Sequence, residues 1–144
     1  MTTETELGLI DTWLYATLVA NSAVKGLVSA RIYDALAPQG TALPYVVFQL
    51  QAAPIDTVVI GGMRIATNAL YTVRGVAEGA GFADASSIAA AIDGALHGVR
   101  ATVAAGVVLS CHRERPLKLP PEVTEGGAVY YHEGGIYRLR VRVL

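Results

Sequence analysis

The sequence predicts a single α+β domain: a mostly antiparallel or mixed β-sheet with two helices packed on one face, in the order α-β-β-β-α-β-β. Three observations predict it. The chain has 144 residues, which suits one domain spanning 1–144. Two segments carry apolar residues at helical spacing. Between and after them run segments that alternate at period two, and runs of strands with only two helices give sheets with helices on one side. A chain of this size buries enough of its own surface to fold without a metal or disulfide staple.

The first helix is read over Thr3 to Ala20. Leu7, Ile10, Leu14, Thr17, Leu18 and Asn21 approximate one stripe, with Trp13 beside it. Thr3 is read as its N-cap, with Glu6 completing a capping box, and Asn21-Ser22 followed by Gly26 as its end. A short apolar piece, Val28 to Tyr33, leads to a turn at Ala37-Pro38-Gln39-Gly40-Thr41, with Pro38 at the first central position. Pro44 opens a half-buried strand, Tyr45 to Gln51, with Val46, Phe48 and Leu50 on one face. Pro54-Ile55-Asp56 breaks that run.

Thr57 to Ile60 is β-prone again, and Gly61-Gly62 is a turn signal before a long second arm, Met63 to Glu78. That arm exceeds an ordinary strand, so the hairpin tip is expected to project beyond the domain body. The second helix, Ala83 to Leu96, presents Ile88, Ala91, Ile92, Ala95 and Leu96, with Asp84 or Ser86 in its first turn and Gly98 at its end. Val107 to Arg113 is a strand with Val107, Leu109 and Cys111 inward. Residues Pro116 to Gly127 read as a loop. Val129 to His132 and Ile136 to Val143 complete the sheet around Glu133-Gly134-Gly135, a turn or bulge.

Composition narrows the function. Hydrophobic residues make up 53% and charged residues 16%, with mean hydropathy +0.44. Such a chain either spans a membrane or carries apolar surface that a partner covers. The apolar stretch Leu7 to Ala20 is interrupted by Asp11, and Ala101 to Leu109 is half the ~20 residues a span requires. The acidic, polar start is unlike a secretory signal. The expectation is a soluble protein made in a reducing cytoplasm, with no membrane partner. A net charge of −1 gives no general footprint for nucleic acid.

No phosphate-binding, dinucleotide, zinc-protease or nucleophile-elbow motif occurs. Cys111 is the one cysteine, so no disulfide or cysteine metal cluster is available. In Cys111-His112-Arg113-Glu114 the thiol and imidazole fall on opposite faces of a strand, which denies the thiolate its base. His97 and His132 have no metal-ligand spacing to a carboxylate or cysteine, and Asp93 four residues before His97 makes at most a surface pair. No enzyme, cofactor or metal is expected.

Two segments remain as subunit-interface candidates. Val58, Val59, Ile60 and Met63 would form a sticky hairpin tip, either docked on a neighbouring subunit or folded back over the core. Arg138, Arg140 and Arg142 share one face of the last strand, either as a solvated face or as partners for a neighbour's acidic groups.

The order of these pieces resembles the tail-terminator or tail-completion family of long-tailed, siphovirus-like bacteriophages. The residues that carry the resemblance are the amphipathic first helix, Arg31-Ile32-Tyr33, Ala37-Pro38-Gln39-Gly40 and Leu43-Pro44-Tyr45-Val46-Val47-Phe48. After them come a strand with Tyr71 and Val73, a helix with Ile88, Ile92 and Leu96, and Tyr137-Arg138-Leu139-Arg140-Val141. The resemblance implies a structural virion protein, made in the host bacterial cytoplasm, that sits at the head–tail junction. It implies a hexameric ring that caps the head-proximal end of the tail tube, stops tube polymerisation and meets a neck or connector protein. DNA passes through such a ring without specific binding. A neck, head-completion or minor tail protein, and a small α+β ligand-binding domain, are the competing readings.

Overall fold

In the computed structural model, which describes residues 4–143, helix α1 spans Glu6–Ala20. The Thr3 cap read from sequence lies outside the described residues; the N-cap is Thr5, whose hydroxyl accepts from the Gly8 amide at 3.0 Å. Leu9, Ile10, Trp13, Leu14 and Leu18 are buried, so Trp13 is part of the stripe rather than beside it. Asn21 does more than end the helix. It is also the N-cap of a second helix, α2 (Ser22–Val28), its side chain accepting from the amides of Ala23 and Val24 at 3.1 Å each. The two helices meet at 81°, and among the described residues no single helix is long and apolar enough to cross a membrane. Thus α2, which buries Val24 and Val28, is a third helix beyond the two expected.

Seven strands form one mixed, curled sheet: β1 (Ile32–Asp34), β2 (Tyr45–Val58), β3 (Arg64–Glu78), β4 (Ala101–Val103), β5 (Gly106–Lys118), β6 (Glu122–Val123) and β7 (Val129–Val143). The order is β1-β2-β3-β7-β5-β4, with β6 also on β7. Only β1 and β2 are parallel. The turn before β2 is shifted by one residue from the reading: Thr41 N–H bonds Pro38 O at 3.1 Å, so Pro38 is its first residue and Gly40, at φ +81°, fills the left-handed position.

Helix α3 (Ala83–Leu96) lies against the middle of the sheet. Its N-cap is Phe82, with Asp84 in the first turn, and its buried face is Ala85, Ile88, Ala89, Ile92, Ala95 and Leu96. Gly75 makes the close approach possible, since a Cβ there would stand 2.3 Å from Ile88 Cγ2. One core joins all three helices to Val46, Phe48, Tyr71, Val73, Val108, Tyr137, Leu139 and Val141 of the sheet.

Several strand readings are corrected. Pro54 does not end β2, because beyond Phe48 that strand has no neighbour on its β1 side and bulges at Leu50/Ala52 and Ala52/Ile55 absorb the missing N–H. In β5 a bulge between Val108 and Ser110 resets the alternation, so Val108 and Cys111 face the core while Val107 and Leu109 do not. Pro116 to Lys118 continue β5, and Glu122–Val123 is a strand, so the expected loop is shorter. Gly134-Gly135 interrupts nothing: β7 runs straight through, paired with Arg74 and Val73 on one side and Leu117 and Pro116 on the other. A Cβ at Gly134 would lie 2.0 Å from Val73 O, so glycine is required by the tightness of the sheet.

Candidate functional site

From Leu50 to Ile65 every residue is exposed, and this stretch is the distal part of the β2–β3 hairpin. In this arm β2 is the outer strand, whereas β3 from Thr67 onward stays in the sheet, paired with β7, so only Val58 to Ile65 extend past that pairing. The arm ends in a short turn in which Gly62 N–H bonds Val59 O and Val59 N–H bonds Met63 O, both at 2.9 Å. Gly61 at φ +103° and Gly62 at φ +89° make that turn possible. Ile60 is completely exposed (105%), Met63 71%, Val58 56% and Val59 42%. The tip therefore does not fold back over the core. Of the eleven large apolar side chains that are exposed among the described residues, seven belong to this arm: these four with Leu50, Ile55 and Ile65.

The arm is tied to α1 beside its tip, where Arg64 pairs with Val58. Arg64 Nη2 lies 3.0 Å from Glu6 Oε1 of α1, and Arg64 Nη1 lies 3.4 Å from Asp56 Oδ2. Thr67 Oγ1 donates to Asp56 Oδ1 at 2.7 Å, and this bond, with Arg64, holds the Asp56 carboxyl below the usual carboxylate range. A second chain of bonds joins the arginine stripe to the arm. Arg140 Nε donates to Asn68 Oδ1 at 3.2 Å, and Asn68 Nδ2 donates to Thr57 Oγ1 at 3.4 Å. Arg138 pairs with Glu114, whose carboxyl is lowered by that hydrogen bond. Arg142 lines a groove with Glu4, Glu6 and Arg64. The structure thus places the stripe beside the root of the arm, with Arg138 and Arg140 engaged within their own chain.

The other candidate chemistry disperses. Cys111 is buried and its thiol is pushed up to about 12, first by burial and then by Asp93, while His112 is exposed on the opposite face. Asp93 does not pair with His97. It accepts from the Tyr137 hydroxyl at 3.0 Å and lies 3.7 Å from Arg113 Nε, while His97 Nδ1 accepts the Arg113 amide at 3.0 Å. Among the described residues no group of three or more His, Cys, Asp or Glu side chains could hold a metal.

Sequence reasoning missed two features. The first is a half-buried network in which Arg74 Nε donates to His132 Nδ1 at 3.2 Å and His132 Nε2 lies 3.1 Å from Glu122 Oε2. Burial lowers the His132 pKa, against the pull of Glu122. The pairing of β3 with β7 brings Arg74 to His132, and that of β6 with β7 brings Glu122; a two-residue strand leaves no periodic signal. The second is the reach of the arm back to Leu50 and Ile55, concealed by the apparent break at Pro54.

Comparison with known proteins gives the chain a family. The model of the tail completion protein gp17 family matches residues 12–143. The chain belongs to that family. Among curated proteins none matches it. A chain from the solved structure described as "Virion of native gene transfer agent (GTA) particle" shares its fold, with a TM-score of 0.64 and 24% sequence identity over 89% of this chain and 90% of that one. Tail-completion membership makes this a structural, non-enzymatic protein of the phage tail, located in the virion at the tail and head–tail junction.

Proposed function

We propose that this tail-completion protein closes into a ring of like subunits, six in number, on the head-proximal end of the tail tube. There it stops further addition of tube protein and presents a surface to the neck or connector. The observation that carries this reading is the arm, on which seven large apolar side chains stand in solvent around a tip without charge from Thr57 to Met63. An isolated subunit gains nothing from that exposure, and burying each such side chain favours association by roughly 1.5–3 kcal/mol. Identical subunits joined through unlike patches generate a ring when the rotation closes. Val58, Val59, Ile60 and Met63 are assigned to subunit contacts. Arg138, Arg140 and Arg142 are assigned to the outer side of the ring rather than its bore, so that DNA passes through without specific binding.

The test is tube polymerisation in the presence of this protein. Tubes of limited length, each bearing a six-fold ring at one end by electron microscopy, are expected. Tubes that grow unchecked while the protein binds only the head would replace this reading with that of a neck or head-completion protein.

A further inference from the structure

Arg74, His132 and Glu122 come from three strands that lie side by side, β3, β7 and β6. Gly75 faces Ile88 of α3, so Arg74 beside it points to the other side of the sheet. There the bonds fix where the histidine carries its proton. Arg74 Nε–H can only donate, so His132 Nδ1 accepts at 3.2 Å and holds no hydrogen. The ring is then neutral, with its hydrogen on Nε2, and donates to Glu122 Oε2 at 3.1 Å. A second proton would land on Nδ1 and set two donors against each other. Only 10% of the His132 side chain is exposed, and burial and Arg74 hold its pKa below the ordinary 6.5 against the pull of Glu122. The other ionisable groups at this spot are Tyr45 of β2, with Tyr130 of β7 and Tyr33 of β1, and a phenol gains no charge in mild acid. Lys118 of β5 lies over the Phe82 ring instead, with Nζ 4.2 Å from its centroid.

We propose that these three residues form an acid-sensitive latch on the segment 119–127: neutral His132 joins β3 to β6 across β7, and a proton on Nδ1 expels Arg74 and frees the segment. The segment has little burial of its own to hold it. Residues 120–123 are all exposed, and β6 pairs with β7 at Glu122 with Tyr130 and at Val123 with Val129. At its start the Leu119 N–H donates to His132 O at 3.1 Å. A charged ring in this place faces a guanidinium with little water near, whereas the side chain of Glu122, 60% exposed, attracts it through solvent that screens the pull. Lifting Glu122 off the ring lets water reach it. The folded pKa lies below the unfolded one, so the latch stabilises fully above the ordinary 6.5 and loses its hold as the pH falls from there through the folded value. Release uncovers the edge of β7 at Val129 and Tyr130, and an unpaired edge is one that another strand can join. The latch belongs to the single subunit and holds whether or not rings form.

Long-range proton–nitrogen NMR spectra of the whole chain test the first half, with the His132 signals assigned by their loss in His132→Gln. The Nε2–H tautomer at neutral pH and a pKa below 6.5 are expected. The Nδ1–H tautomer, or a pKa of 6.5 or above, would overturn the latch. Amide exchange at Leu119 reads the release. Corrected for the intrinsic pH dependence of exchange, opening there is expected to rise by up to about tenfold per pH unit below 6.5 until the His132 pKa is reached. Unchanged opening across that range would overturn the proposal even with the tautomer confirmed. Glu122→Gln, at an exposed position, separates the histidine from the carboxylate, since it keeps an acceptor for the Nε2 hydrogen and removes the charge. It is expected to lower the His132 pKa further while the pH-dependent opening remains. Loss of the pH dependence in that variant would assign the opening to Glu122 and overturn the latch.

Discussion

The Tyr71 hydroxyl donates to Asp11 Oδ1 at 2.8 Å, fastening the central strand β3 to α1. Burial raises the Asp11 carboxyl above its ordinary value, Asp34 and Glu4 push the same way, and the Tyr71 bond opposes them. A carboxyl whose pKa is higher folded than unfolded holds its proton better in the folded state. Its stabilising contribution is therefore present in acid and lost as the pH rises through the folded pKa. Asp11→Asn, which keeps an acceptor for Tyr71 and removes the charge, is expected to raise the melting temperature at neutral pH. The gain should shrink in acid, as the native carboxyl takes up its proton. Tyr71→Phe deletes the donor and should cost about 1–2 kcal/mol at neutral pH by urea denaturation.

The contact of Gly75 with Ile88 predicts a reciprocal pair. Gly75→Ala forces its new methyl against Ile88 Cγ2 and Cβ, and is expected to destabilise by about 1–3 kcal/mol. Shortening the obstacle with Ile88→Ala costs core packing by itself but should recover part of the loss in the double variant. A double-mutant cycle measured by denaturation checks this, and strict additivity would contradict it.

No such compensation is open to Gly134. The nearest atoms to a Cβ there are Val73 O and the Arg74 Cα, both backbone. Gly134→Ala is expected to separate β7 from β3 and to leave little folded protein on expression. Gly126→Ala, with nothing within 4 Å, should be indistinguishable from the natural chain.

Serine at Val58, Val59 and Ile60 together should leave the melting temperature within about 1 °C of the parent, as expected of surface changes. Ring formation and tube capping should be lost. Side chains exposed by at least 42% contribute little to the core, so a collapse in stability would show the arm to be structural.

How much of this was legible in the sequence follows from how local each cause is. The helices α1 and α3, the strand around Val46 to Phe48 and the projecting tip were readable, since period and turn chemistry are properties of neighbours in the chain. The misreadings share a cause. Pro54 and Gly134-Gly135 look like punctuation, and in the structure each is a joint within a continuing element, while Asn21 does end α1 as read but also starts α2. Asn21 caps two helices, Pro54 sits in a bulge on an unpaired edge, and Gly134 yields to the backbone of Val73. Whether a glycine stops a strand or admits a neighbour depends on a strand sixty residues away, which no local window contains. The arginine stripe was placed on the right face by alternation, but its bonds to Glu114 and Asn68 required the pairing of β7 with β5 and β3.

Pro54 has a consequence for the life of the protein before it joins a particle. Beyond Phe48 the outer side of β2 carries no strand, and a flat apolar edge of that length is a template on which identical chains stack into fibrils. The proline removes one donor from the edge and the two bulges beside it spoil the repeat, so a copy waiting in a crowded cell offers a stray strand no regular ladder. The irregular stretch around Pro54 thus leaves the exposed edge of β2 without the even row of donors that a stacking strand needs.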